Sequence, residues 1–469
     1  MRHPLVSHPH EVLIGLAAGA RLTTATGFDG VGRELAHVRI VHVADPAGAA
    51  PGYDPLAAWQ AVRAALRGLA DRIPDLARRA VGLAVTGAEG GLVAVDEDGD
   101  PLAVAIAPGV WAHPNPEPGP SSAAEGPASP LGWLARHHPE VAEQVAWLLP
   151  AKDWVHFCLT GVAAVEPTGA DLGLGPPGAW RQAGLEGLLP EPPEGTLQTV
   201  GLARAAAGAC RLRHGLPVVL APPSGICAAI AGGALGTGPD IGFALLEDAG
   251  CYLLRPPPDT AMPAAGPGTN VALPCAAGLA RVVVGAPVGD GLGWLSDLLQ
   301  DALGEIGLIG TGQGELRALL LRRVEAADPA GLTFETTGGI GRFTGLARTT
   351  SIGDLARAVL EGVGLAARRV LADLGGPPAE LRVAGRFVTE PLARTLLAAV
   401  LDQPVRRCRR DEAATAGAAL VAALTLGLEG SIAAADQDWV APYLAAAEEP
   451  DPQLAEIYTR AFEARSAAA

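Results

Sequence analysis

Apolar runs at 12–16, 21–28 and 35–43 follow one another closely, with Ala18-Gly19 and Asp29-Gly30 between them. Strand-length apolar runs separated by turn residues predict consecutive β-hairpins. A helix should follow, because Leu56, Trp59, Val62, Leu66 and Leu69 recur at helical spacing and would share one face. Another strand is expected over 80–85, and then a hairpin turning at Glu97-Asp98-Gly99. The second half opens in the same way. Residues 241–246, 251–254 and 279–284 read as strands, and Leu292, Leu295, Leu298 and Leu299 mark an amphipathic helix. Further helices are expected over 355–374 and 392–401, with a short strand at 381–383 between them.

Two copies of a hairpin sheet followed by helices point to a duplicated α/β unit with a central cleft, where a ligand would bind by default. Gly236-Thr237-Gly238-Pro239 is the expected hinge, which divides the chain into domains 1–237 and 238–469. The proline-rich stretches 114–120 and 187–194 read as loops.

Composition narrows the class. The 469 residues are 49% hydrophobic and 18% charged, enough for a large core, and aromatics are only 4%, so Leu, Val and Ala must fill it. A net charge of −16 argues against nucleic-acid or anionic-membrane partners. The one basic cluster, Arg406, Arg407, Arg409 and Arg410, reads first as a solvated strand end and second as a phosphate patch. Lys152 is the only lysine. The six cysteines (158, 210, 227, 251, 275 and 408) lack metal-ligand spacing and read mostly as small buried hydrophobes in a reducing compartment, so no metal site is expected. Residues 12–20 faintly imitate a signal peptide but fit a first strand better. Residues 413–428 are uncharged but too short and too small-residue-rich for a membrane span, and fit a buried helix. A cytoplasmic location is expected.

The most constrained motif is Gly341-x-Phe343-x-Gly345-Leu346, seven residues, then Asp354-Leu355-x-x-Ala358-Val359-Leu360-Glu361. It resembles the second signature of the FGGY-type carbohydrate kinases. Other segments agree in order: Lys152-Asp153-Trp154 with Leu159-Thr160-Gly161, Gly215-Leu216-Pro217-Val218-Val219, the start of a helix at Gly289 to Leu295, and Glu412-Ala413-x-x-Ala416-Gly417-Ala418-Ala419. The form carrying Lys-Asp-Trp is most similar to the erythritol and L-xylulose kinase branch. The resemblance implies two RNase-H-like domains of the actin-like ATPase fold, with sugar bound mainly by the first, nucleotide mainly by the second, and ATP-dependent phosphorylation of a sugar or polyol hydroxyl.

Phosphoryl transfer needs a phosphate cradle, a metal and a base, and the chain departs from the family pattern at each. The first hairpin, Asp-x-Gly-Thr in active members, reads Ala17-Ala18-Gly19-Ala20. The position of the family base is Ser224, neutral at pH 7. The second-domain turn carries Glu247 and Asp248 where phosphate oxygens should lie. The adenosine loop reads Ala384-Gly385-Arg386-Phe387, where Arg386 and Phe387 would crowd the adenine surface. On the sugar side Glu89, Trp111 and His113 remain as pocket-lining candidates, while Gly19 and Gly385 survive as remnants of the nucleotide site.

These departures predict a pseudokinase that binds a small sugar or polyol without phosphoryl transfer. Two alternatives stand beside it. One is an active kinase using Mg-ATP, with Asp29, Glu89 or Asp248 as displaced base or metal ligand. The other is a structural subunit in a homo- or hetero-oligomer with a related kinase.

Overall fold

The computed structural model describes residues 10–19, 22–41, 54–87, 92–102, 139–173, 187–190, 197, 199–236, 241–246, 249–255, 268–276, 279–287, 291–305, 313–337 and 340–468. Two compact units emerge: Met1–Thr237 with Val271–Gly278 and Glu412–Pro442, and Gly238–Asn270 with Leu279–Asp411 and Tyr443–Ala469.

The first unit is built on six strands: β1 (Val12–Ala18), β2 (Leu22–Phe28), β3 (Glu34–Val41), β4 (Ala80–Gly87), β7 (Thr199–Gly201) and β8 (Pro217–Leu220). Their order is β3-β2-β1-β4-β8-β7. The first three form the expected antiparallel hairpins, β4 and β8 run parallel to β1, and β7 returns antiparallel. Strand β1 is buried almost throughout, which is why its sequence is a continuous apolar run rather than an alternation.

Helix Pro55–Arg72 starts where Asp54 accepts the Ala57 N–H at 3.1 Å and Pro55 presets the first turn. It buries Ala58, Val62, Ala65, Leu66 and Leu69. Leu56 departs from the expected face: it is 56% exposed, because small alanines rather than the first leucine complete the stripe. The turn at 97–99 forms as expected. Asp96 accepts the Asp98 and Asp100 N–H groups at 3.0 and 2.9 Å, and Gly99 adopts φ +83. Past the turn the chain comes back antiparallel as far as it is described: Pro101 bridges Val95 and the Leu102 N–H donates to the Ala94 carbonyl at 2.8 Å, while β5 (Leu92–Val95) also pairs with β6 (Trp147–Pro150).

The uncharged segment near 413–428 forms helix Ala413–Thr425, buried in the first unit. A Cβ on Gly417 would lie 1.7 Å from the Cys227 carbonyl oxygen, and one on Gly15 would lie 2.1 Å from that of Thr415. Backbone therefore meets backbone on both sides of this helix.

The second unit carries β9 (Ile241–Leu245), β10 (Ala249–Arg255), β11 (Thr269–Ala272), β12 (Leu279–Pro287), β15 (Glu380–Ala384), β16 (Val405–Cys408) and β17 (Leu444–Glu448), in the order β11-β12-β10-β9-β15-β16-β17. From β12 onward this repeats the first sheet, strand for strand and direction for direction. The duplication is that of the actin-like ATPase fold.

Helix Gly291–Glu305 buries Leu292 and Leu295, whereas Leu298, expected on the same face, is 53% exposed. Helix Ile352–Leu374 opens with a reciprocal box: Ser351 accepts the Asp354 N–H and Asp354 accepts that of Ser351.

The first half of the signature lies on a hairpin that hydrophobic patterning misses, β13 (Thr333–Thr337) and β14 (Ile340–Thr344). There the Phe334 and Phe343 rings sit 4.7 Å apart. The four arginines near 406–410 do not form one solvated patch. Arg406 donates to Glu380 at 3.1 Å, and Arg410 is buried, with its guanidinium 3.5 Å from the Tyr443 ring centre. Four of the six cysteines are buried. No helix among the described residues is long and apolar enough to cross a membrane.

Candidate functional site

Because β1, β4 and β8 run parallel, their carboxyl ends share one edge of the first sheet, where open α/β sheets bind ligands. Ala17, Ala18, Thr86 and Gly87 end two of these strands, and the third runs through Ala221-Pro222-Pro223 into helix Ser224–Ala231. At Gly19 the N–H donates to the Leu22 carbonyl at 2.9 Å, and a Cβ would come 2.8 Å from that oxygen, so the tight turn requires glycine. The Pro222 carbonyl accepts the Thr86 hydroxyl at 2.5 Å and the Cys227 thiol at 3.2 Å, which fixes the loop that delivers Ser224 to the helix start.

A cluster of three ionisable groups supports this edge. Lys152, on helix Ala151–Thr160, packs under the strand ends, since a Cβ on Gly87 would lie 2.7 Å from its own Cβ and 2.5 Å from the Ala18 carbonyl. Its ammonium donates to Asp153 Oδ1 at 2.6 Å and lies 3.6 Å from Glu166 Oε2, with all three side chains buried. The carboxylates are also bonded to backbone: Glu166 accepts the Thr168 and Gly169 N–H groups at 3.0 and 2.7 Å, and Asp153 accepts that of Glu166 at 3.1 Å.

Burial alone would lower the Lys152 pKa, but the charges of Asp153 and Glu166 outweigh it and hold it above its ordinary value. Burial pushes Asp153 up to about 6 against the pull of Lys152, and the like charge of Glu166 adds to the rise. That is the expected outcome when two carboxylates share one cation. One turn along, His156 is fully buried. Burial and then the Lys152 charge lower its pKa to about 4, so it is neutral at pH 7.

Sequence reasoning placed Lys152 and Asp153 on a motif helix but missed Glu166 and the cluster itself. The signal was present: a lone lysine in an apolar helix must find carboxylates if it is buried, and Glu166 is the first acid beyond that helix.

In the second unit β9, β15 and β16 again end at one edge. Gly385 takes φ +101 there, and the Leu246 N–H donates to the Ala384 carbonyl at 2.9 Å. Arg386 is exposed, while the Phe387 ring packs against the apolar clusters of the unit. Glu89, Trp111, His113, Ala20, Glu247 and Asp248 lie outside the described residues. Asp29 is not at the site edge. It lies past the far end of β2, where its carboxylate accepts the Val31 and Arg33 N–H groups and shapes the turn to β3.

Among the described groups at the edge of the first unit, β1 ends in Ala17 and Ala18, the Gly19 N–H is bonded within its hairpin, and Asp153 and Glu166 are committed to Lys152 and backbone.

Comparison with known proteins matches the residues carrying this frame. Residues 325–426 fit the model of the C-terminal domain of the FGGY family of carbohydrate kinases. An erythritol kinase from Brucella abortus is 28% identical over 501 aligned positions, spanning 96% of this chain and 94% of that protein. The similarity to that kinase runs over nearly the whole chain, and the match to the family's C-terminal domain over residues 325–426.

Solved structures share the fold over both units. Xylulose kinase from Rhodospirillum rubrum superposes with a TM-score of 0.75 at 24% identity, covering 98% of each chain. Plasmodium falciparum glycerol kinase with ADP gives 0.74 at 13% identity, again covering 98% of each. At these identities the likeness shows the fold alone.

Proposed function

We propose that this protein is an FGGY-family pseudokinase of the erythritol and L-xylulose kinase branch, holding a small sugar or polyol without transferring phosphate to it. The observation that carries this reading is the contrast at the first sheet's edge between an intact frame and altered chemistry. The Gly19 turn and the pinned Pro222 loop are built as a kinase would need them, yet the positions of the family's carboxylates hold Ala17 and Ser224. A methyl cannot organise a metal, and a neutral hydroxyl cannot take the proton of an attacking alcohol as a carboxylate does, a loss of roughly 10²–10⁴ in rate for the base alone. Use of Asp29 as a displaced base is disfavoured by its place in the turn between β2 and β3.

The full-length likeness to an erythritol kinase makes four-carbon polyols the first ligands to try. Thermal unfolding with millimolar Mg-ATP, erythritol, xylulose or L-xylulose tests the proposal. A ligand at 100 times its Kd adds about 2.7 kcal/mol, so a polyol that binds should raise Tm by several degrees while Mg-ATP leaves it unchanged. A rise with Mg-ATP that a chelator reverses would overturn the reading.

A further inference from the structure

One face of the first unit is basic on a chain whose net charge is −16. Residues 55–79 and 203–214 hold eight arginines and His214 against two acids, Asp71 and Asp75. They form helix Pro55–Arg72, the short helix Leu76–Arg79 and helix Arg204–Cys210. Arg67 Nε donates to the Ala209 carbonyl and Arg211 Nη1 to Asp71 Oδ1, both at 2.6 Å, so the two longer helices lie side by side. Arg213 reaches the carbonyl of Ala80, the first residue of β4, and leads toward the start of β8. The surface therefore runs toward the amino ends of these strands, away from the carboxyl edge, and the argument is independent of whether the protein transfers phosphate.

Several of these cations are held in place without being neutralised. Arg67 and Arg213 bond backbone carbonyls, as does Arg79, which donates to His10 at 2.8 Å and Pro74 at 3.2 Å. A carbonyl fixes a guanidinium but leaves its full charge, and each fork keeps further N–H donors. The carboxylate pairs Arg211–Asp71 and Arg78–Asp75 are exposed on both sides and contribute little. Arg204 stands exposed at the start of its helix. Arginine forks already fixed lose little freedom on binding and can match a carboxylate with two parallel bonds. Leu56 is exposed on the same helix, two turns before Arg63 and on its side. An apolar side chain beside a basic ridge suits an acidic polypeptide with an apolar anchor. Single-stranded nucleic acid would need aromatic platforms for its bases, and Trp59, the one aromatic residue of these segments, carries Arg63 over its ring at 5.7 Å. The net negative charge of the chain also opposes a long polyanion.

The geometry points to a docking surface for an acidic segment of another protein, whose carboxylates pair with Arg67, Arg204, Arg211 and Arg213 while an apolar residue of the segment packs on Leu56.

Fluorescence anisotropy of the full chain with a fluorescein-labelled peptide of glutamates around one leucine provides the test. Wild type should bind the peptide at micromolar concentrations in low salt and release it as salt rises. Arg204→Glu and Arg213→Glu, both exposed sites, should together weaken binding at least tenfold, with circular dichroism and Tm unchanged as a check on folding. Arg342→Glu, an exposed change in the second unit, should leave binding as it is. Leu56→Ala should weaken the leucine peptide and not one with glycine in its place. Absence of binding by wild type would overturn the inference, as would an affinity unchanged in the double variant or shared by the matching glutamine peptide. Indifference of the leucine peptide to Leu56→Ala would refute the apolar anchor. A single-stranded oligonucleotide of equal charge that binds more tightly than the peptide would equally refute a protein segment as the occupant.

Discussion

Lys152 concentrates the residue-scale energetics of the first unit. Its ammonium neutralises one of two buried carboxylates, and removing it would leave both uncompensated. Breaking a buried pair from one side typically costs about 3–5 kcal/mol. Lys152→Met is therefore expected to lower stability by that order, while Arg460→Met, which removes an exposed partner of Glu456, should change it by less than about 1 kcal/mol. Chemical denaturation of the two variants compares them directly.

Asp153 adds a pH dependence. Its pKa is raised from 3.8 to about 6 in the fold, so between these values the folded state binds the proton that the unfolded state releases. The resulting stabilisation is fully present below 3.8 and is lost as pH rises through 6. Relative to Asp153→Asn, wild type should lose stability from pH 4 to pH 6.5. A flat difference, or one of opposite slope, would show that Lys152 dominates the titration. The fully buried His156, neutral at pH 7 because its pKa is lowered to about 4, acts in the opposite sense. Its folded pKa lies below the unfolded 6.5, so its contribution is present above 6.5 and is lost as pH falls through 4.

At the scale of elements, helix Ala413–Thr425 depends on its small residues. With 1.7 Å between a Cβ at Gly417 and the Cys227 carbonyl, neither backbone can yield cheaply. Gly417→Ala should cost more than the ~1–3 kcal/mol usual for overpacking, whereas Gly430→Ala, with nothing within 4 Å, should stay within about 0.5 kcal/mol. A thermal melt of each separates them. The capping box supplies a milder case: Ser351→Ala removes the acceptor for the Asp354 N–H and should cost about 1 kcal/mol.

Legibility in the sequence followed the same physics. Strands β1 to β4 and β9, β10, β12 and β15 were readable because long apolar runs end in turn residues. The β13–β14 hairpin was not, because Thr333–Thr337 and Ile340–Thr344 are mostly polar or small and held by one aromatic pair. Leu56 and Leu298 were assigned inward because helical spacing cannot distinguish the core stripe from an apolar residue at its margin. At the site, the reading of Ala17 and Ser224 rests on residue type, which the sequence gives directly. The binding of Glu166 to Lys152 was not, because it depends on how the chain returns after helix Ala151–Thr160.

For the whole molecule, the two sheets share one topology, and the carboxyl edge of the first carries Ala17 and leads to Ser224, the two positions on which the proposed function rests. Catalytic groups act as a unit, so restoring one of several missing parts should restore almost nothing. This gives the pseudokinase reading its most direct test: ADP release coupled to a detection enzyme, with millimolar Mg-ATP and glycerol, erythritol, xylulose or L-xylulose, against a control without sugar. Wild type and Ser224→Asp should both match the control, and Ala17→Asp with Ala20→Thr and Ser224→Asp should give at most a trace. Wild-type turnover in the ordinary enzymatic range of about 1–10³ s⁻¹ would contradict the account and assign the proton transfer to a carboxylate other than the missing one.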